Sequence, residues 1–230
     1  MPPKVLVFAS TYELHEYAVS ILKNQLKKKP SSRIGLSTGK TMIPFYNHLA
    51  CAKLNFSKAT TFNQDEYLKP DSKTRSFKKY MEKYFLNKTN ISPKNFHIPE
   101  SNPANSKKSA QEYEKAITKS KVDLQILGLG RNGHIGFNEP GTPFISKTHV
   151  INLTPSTRKA NNTKTRQALT IGISTTLHAK KIILIATGEH KAKAIKTLLQ
   201  KPISTKCPAS ALRKHKDVTI LLDKAAAKEL

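Results

Sequence analysis

Val122-Asp-Leu-Gln-Ile-Leu-Gly-Leu-Gly-Arg-Asn-Gly-His-Ile-Gly-Phe-Asn-Glu-Pro-Gly141 divides into two halves of opposite character. Residues 122–127 form a short, almost wholly apolar run bounded by glycine, which predicts a buried strand. Gly128, Gly130 and Gly133 then let the backbone turn sharply and pass close to a ligand. Between and after them stand Asn132, His134, Asn138 and Glu139. A strand that runs into a glycine-rich loop carrying a histidine and a carboxylate is where open α/β sheets place active sites.

Outward from this stretch, the same alternation recurs. Strands are expected at residues 5–9, 33–37, 59–63 and 181–186, and at 218–222. A shorter strand fits residues 96–98, and alternation at 148–153 fits another. Helices are expected at residues 13–29, 43–54, 75–86, 109–119 and 189–200. The first carries Leu14, Ala18, Ile21, Leu22 and Leu26 on one face and is closed by Pro30. A polar loop is expected at residues 69–74, and residues 156–165 read as a short helix or a flap. Ser174 is expected to cap a short helix, residues 208–212 to form another, and Asp223 to begin a terminal one. Strands that alternate with helices predict an α/β fold. Its sheet is expected to be open, mostly parallel and doubly wound, Rossmann-like, with helices on both faces. No composition shift marks a boundary, so residues 1–230 are expected to form one domain.

The chain has 230 residues, 40 Lys and Arg against 15 acids, and a formal net charge of +25. Such a balance can signal nucleic-acid binding. The lysines are scattered, however, and only six arginines occur. No aromatic–basic alternation resembles a single-strand platform. The excess therefore reads as lysine-rich surface, with no specific nucleic acid as partner. It would also steer an anionic substrate. No run approaches 18 apolar residues, so no membrane partner is expected. The opening apolar stretch is too short for a signal peptide and reads as a first core strand. Cys51 and Cys207 lie far apart without metal-ligand spacing, which predicts two free thiols and a cytoplasmic protein.

Four constellations carry chemistry. Gly35-Leu-Ser-Thr-Gly-Lys-Thr41 joins a strand to a helix start through a glycine and hydroxyl residues, a cradle for phosphate at a helix N-terminus. Gly-Lys-Thr suggests a P-loop, but the position that would need its first glycine is Ile34, which favours a sugar phosphate over a nucleotide. Thr61-Phe-Asn-Gln-Asp-Glu-Tyr67 sets Asp65 after a strand, where a carboxylate could abstract a carbon-bound proton. In the opening stretch, His134 can pass a proton, and Glu139 could orient its imidazole. A zinc site would need further ligands, and none has convincing spacing. In Ala186-Thr-Gly-Glu-His-Lys191, Lys191 could hold a phosphate as a point charge, and Arg158 could clamp one. Together these suit proton abstraction beside a carbonyl in a sugar phosphate, with no cofactor and no metal.

At these residues the chain resembles the glucosamine-6-phosphate deaminases. The signature Leu127-Gly-Leu-Gly-Arg-Asn-Gly-His-Ile-Gly-Phe-Asn-Glu-Pro140 is highly specific to that family. Thr61–Tyr67, Leu36–Thr41, Ala186–Ala192 and Pro208–Leu212 match its other motifs in the same order. The resemblance spans nearly the whole chain. It implies conversion of D-glucosamine 6-phosphate to fructose 6-phosphate and ammonia without a cofactor. It implies Asp65 as the base between C2 and C1, and His134 as the ring-opening group, assisted by Glu139 and Asn132. It implies phosphate held by Thr38, Gly39, Lys40 and Thr41 with Arg158 and Lys191.

Several departures from the family pattern stand out. Asn132 replaces the Asp of some relatives, which leaves Glu139 to supply the negative charge beside His134. Lys40-Thr41-Met42 stands where a small residue, Thr and Pro are usual. The flap after Arg158 is expected to be shortened. His149 and Ile151 occupy positions where allosteric, hexameric relatives carry an Arg and a Lys. The chain is therefore expected to be a monomer or small homo-oligomer that N-acetylglucosamine 6-phosphate does not activate. Competing readings are a 6-phosphogluconolactonase, a binding-only sugar-phosphate domain, and the sensing domain of a transcription regulator.

Overall fold

The structure, a computed structural model, describes residues 2–70 and 76–230. Its large sheet contains β1 (Lys4–Phe8), β2 (Arg33–Leu36), β3 (Thr60–Asn63), β5 (Phe96–His97), β6 (Leu124–Gly128), β9 (Ile182–Ala186) and β10 (Val218–Asp223). The spatial order is β1-β10-β9-β6-β2-β3-β5, and every neighbouring pair is parallel. A strand buried on both faces must be apolar at every position. β9, Ile-Ile-Leu-Ile-Ala, meets that demand along its whole length. Ile182, Leu184 and Ala186 enter one core, and Ile183 and Ile185 the other. Each such Ile or Leu contributes roughly 1.5–3 kcal/mol by leaving water.

Helices cover both faces. Residues of α1 (Thr11–Lys28), α2 (Met42–Cys51) and α3 (Phe77–Tyr84) pack into the core with Ile183 and Ile185. Residues of α4 (Ser106–Thr118) and α7 (Ala192–Gln200) pack into the core on the other face, and α5 (Pro155–Ala160) and α6 (Ile173–Leu177) are shorter. α1 begins where Ser10 accepts from the Glu13 N–H at 3.2 Å while the Glu13 carboxylate accepts from the Ser10 N–H at 3.3 Å. This reciprocal cap stabilises the helix by about 1 kcal/mol. At the start of the central strand, buried Asp123 accepts from Lys29, Lys180 and the Arg33 N–H at 2.7–2.9 Å. Those bonds outweigh burial, which alone would raise its pKa, and hold the carboxyl below its ordinary range.

The expected strands and the covering of both faces are present, with four corrections. A second, antiparallel sheet exists, in the order β4 (Asp65–Leu68), β8 (Gln167–Thr170), β7 (His149–Asn152). β4 had read as the loop after β3. Its partner lies about a hundred residues away, so no local pattern announces it. Second, the helix expected from Asp223 is only a series of turns. There the Asp223 carboxylate accepts from the Gly188 and Ala226 N–H groups at 2.7–3.0 Å. Third, α6 is capped at Gly172 rather than Ser174. Ser146 supplies the acceptors, its Oγ for the Ile173 N–H and its carbonyl for the Ser174 N–H, both at 3.0 Å. Fourth, Gly128 is the last residue of β6 and not part of the turn. The expected helix start at Arg75 and most of the loop at 69–74 fall outside the described residues.

Candidate active site

From β2 the chain moves outward to β3 and β5, then returns to β6 and proceeds to β9 and β10 on the other side. The order therefore reverses between β2 and β6, and their following loops part to leave a crevice at the carboxyl ends of the strands. Ser37, just past β2, bridges this point. Its hydroxyl donates to the Ile126 carbonyl at 2.8 Å and contacts the Gln64 side-chain oxygen.

Two glycines shape the loop after β6. A Cβ on Gly130 would stand 2.4 Å from the His134 ring, so only glycine lets the imidazole lie there. Gly133 has φ +83°, and a Cβ on it would meet the Cys207 Sγ at 2.5 Å. Glycine alone meets both demands. The Ala209 N–H donates to the Gly133 carbonyl at 2.9 Å, which ties this loop to residues 204–214.

The loop gathers three of the expected residues. The Asn132 amide donates to Glu139 Oε2 at 2.8 Å, and its carbonyl oxygen accepts from the His134 N–H at 3.2 Å. Nδ1 of His134 stands 3.7 Å from the same carboxylate oxygen, within ion-pair reach but longer than a hydrogen bond. The other oxygen, Oε1, accepts from the Thr157 hydroxyl and, at 3.4 Å, from Thr154. Burial of Glu139 favours its neutral form. His134, Thr157 and Asn132 more than offset this and bring its pKa down to about 2. An amide at 132 thus does what an aspartate could not: it donates to Glu139.

Asp65 opens β4, opposite Thr170 of β8. It is 6% exposed, and burial, reinforced by Glu66, raises its pKa to about 8. The loop after β6 passes beside it, so that a Cβ on Gly136 would stand 3.5 Å from Asp65 Oδ2. The Phe137 N–H donates to the Thr170 hydroxyl at 3.1 Å, which fixes that loop to the second sheet. Glu66 is fully buried and accepts from the N–H groups of Tyr67, Phe77 and Lys78, each at 2.8 Å. It thereby joins β4 to the start of α3.

The cations and the 38–41 loop come to the same edge. Buried Lys191 donates to the Leu129 carbonyl at 2.6 Å, and burial, with nearby Arg131, lowers its pKa to about 8. Gly39 offers its carbonyl to Tyr80 of α3 at 2.9 Å, and Thr41 stands at the start of α2 without a side-chain capping bond. Lys40 is exposed. Arg158 lies on α5, whose neighbouring Thr157 touches Glu139, and its Nε is buried without a hydrogen-bond partner among the described residues. Among the described residues no side-chain hydrogen bond joins Thr38, Lys40, Thr41 or Arg158 to the His134 network. Sequence reasoning missed Ser37, Gln64, Glu66, Tyr80, Arg131 and Thr157. The only signal for Thr157 was a hydroxyl-rich run, Thr154-Pro-Ser-Thr157, just before Arg158.

Comparison with known proteins places this geometry. The profile of the family described as glucosamine-6-phosphate isomerases/6-phosphogluconolactonase matches residues 9–221. A glucosamine-6-phosphate deaminase of Thermoanaerobacter sp. (strain X514) is 41% identical, over 97% of this chain and 94% of its own. The solved structure of a monomeric glucosamine-6-phosphate deaminase superposes with a TM-score of 0.94 at 38% identity, covering 99% of this chain and all of the other. A 6-phosphogluconolactonase from Trypanosoma cruzi, at 22% identity and a TM-score of 0.82, shares the fold. By profile, identity and shape, the chain belongs to the glucosamine-6-phosphate isomerase/6-phosphogluconolactonase family.

Proposed function

We infer that this protein deaminates D-glucosamine 6-phosphate to D-fructose 6-phosphate and ammonia. The observation that carries the reading is the buried carboxyl of Asp65, raised to about 8, lying beside the loop that holds His134, Glu139 and Asn132. A general base works best with a pKa near the working pH.

The roles follow from chemistry. Backbone N–H groups of residues 38–41, with Arg158 and Lys191, hold the phosphate. His134 passes the O1 proton to the ring oxygen, which opens the ring and leaves an aldehyde at C1. Glu139, ionised throughout the working range, stabilises the imidazolium formed on the way. Asp65 removes the C2 proton and returns it to C1, while O1 is reprotonated and an iminium is left at C2. Water adds to C2, ammonia departs, and the C2 ketone remains. None of these steps calls on a cofactor. The two free cysteines and the metabolic substrate suit a cytoplasmic enzyme, and the monomeric relative supports a monomer.

Ammonia release from glucosamine 6-phosphate, with fructose 6-phosphate read in a coupled assay, tests this. The parent turns over, and Asp65→Asn loses roughly 10²–10⁴-fold in kcat. Hydrolysis of 6-phosphogluconolactone without ammonia release would overturn it in favour of the lactonase reading.

A further inference from the structure

All seven strands of the large sheet are parallel, so all enter from one edge, opposite to the edge that carries Asp65 and His134. A cation stands at or near each entrance. Across one half of the sheet these are Lys4 at β1, Lys216 before β10, Lys181 before β9 and Lys121 before β6. On the other half they are Lys58 before β3 and Lys94 before β5. β2 begins at Arg33, whose guanidinium is engaged by the Ala116 and Ile117 carbonyls at the end of α4. All six lysines are exposed except Lys181, which is half-buried.

Among the described residues, the four positions before each strand hold only two acids, Asp123 and Asp217. Asp123 is buried and already neutralised by Lys29 and Lys180. Cations at helix C-termini are common because they suit the helix dipole, which accounts for Lys27 and Lys28. The same effect favours Lys121 and Lys181, which follow the ends of α4 and α6, but Lys4, Lys58, Lys94 and Lys216 do not directly follow an α-helix, and there mutual repulsion costs stability.

We propose that this edge binds the phosphate backbone of a nucleic-acid duplex without regard to sequence. Six inter-strand spacings make a row about 29 Å long. That matches roughly eight base pairs along one strand, whose phosphates recur about every 3.4 Å. Lysines act as point charges and suit phosphate neutralisation rather than base reading. Of the exposed large hydrophobic side chains among the described residues, Tyr17 alone lines a surface pocket with Lys4, Lys181 and Lys216; the others, such as Tyr12, Ile145 and Ile203, do not directly precede a strand of the large sheet. A membrane-surface site would present a cluster of apolar anchors there rather than one phenol ring. The surface is separate from the catalytic edge, so it stands or falls independently of the deaminase reading.

The test is fluorescence anisotropy with a fluorescein-labelled 20-base-pair duplex of random sequence, titrated between about 50 and 200 mM salt. The probe is offered to the full chain, to K58Q/K94Q/K121Q/K216Q, and to K108Q/K193Q/K206Q/K224Q, which removes equal charge from other faces. The expected result is binding by the parent that weakens steeply with salt. The edge variant should lose roughly tenfold or more in affinity, with a log–log salt slope smaller by about 3–4, while the control variant stays within about twofold of the parent. Both variants should keep the parent's turnover. Three results would overturn the proposal: no duplex binding at 50 mM salt, equal losses in the two variants, or edge-dependent binding to phosphatidylserine vesicles but not to duplex.

Discussion

At the scale of single residues, the proposed mechanism requires Asp65 to be poised between its two protonation states. Its raised pKa comes first from burial and then from the neighbouring Glu66. Below that value the carboxyl is neutral and cannot accept the C2 proton. The kcat/KM of the free enzyme should therefore rise with pH through a limb near 8. Replacing Glu66 with Gln removes the like charge, so Asp65 ionises more readily and the limb moves to lower pH. A pH–rate profile of Glu66→Gln that overlays the parent would show that Glu66 acts only by holding α3. Asp65 itself was legible in the sequence as an acid after a strand. Its burial was not, because that burial is made by β8 pairing with β4 from far along the chain.

At the scale of elements, α5 decides how Glu139 faces His134. This helix has only six residues and begins with Thr154 as its cap, which accepts from the Thr157 N–H at 3.2 Å. So short a helix is not stable alone and depends on its contacts. The Thr157 hydroxyl on the Glu139 carboxylate is one of them. A hydrogen bond to a charged group is worth about 1.5–3 kcal/mol. Thr157→Val should consequently lower kcat/KM by roughly tenfold, from a carboxylate less firmly ionised and an Arg158 less firmly placed. Thr157→Ser should recover most of the loss. Parent-like kinetics in the valine variant would remove α5 from the account of Glu139. The sequence offered residues 156–165 as a helix or a flap. The choice was made by a contact with a loop some twenty residues earlier, which local propensity does not contain.

At the scale of the whole molecule, the net charge of +25 sets the field in which an anionic substrate arrives. Positive fields raise encounter rates, and salt screens them over about 8–10 Å. The kcat/KM for glucosamine 6-phosphate should fall roughly threefold between low and physiological ionic strength, with kcat nearly constant. A flat response would leave substrate capture to the local cations Lys191 and Arg158. The charge is also arranged: acids such as Asp65, Glu66, Glu139 and Asp223 sit at the catalytic edge, while lysines line the strand entrances. Composition gives the total, but only the parallel topology brings seven separated segments to one edge.

The sequence by itself determined the strand–helix alternation, the loops that end β2, β3, β6 and β9, and the placement of Asp65, His134, Glu139 and Lys191 after those strands. These are local properties, written in apolar runs, glycines and the chemistry of nearby side chains. Tertiary structure decided the rest: the second sheet, the burial that raises Asp65, the threonines behind Glu139, and the carbonyl of Leu129 that holds Lys191. Each of these joins residues distant in the chain. Their energies come from desolvation and from hydrogen bonds that exist only once the two segments have met.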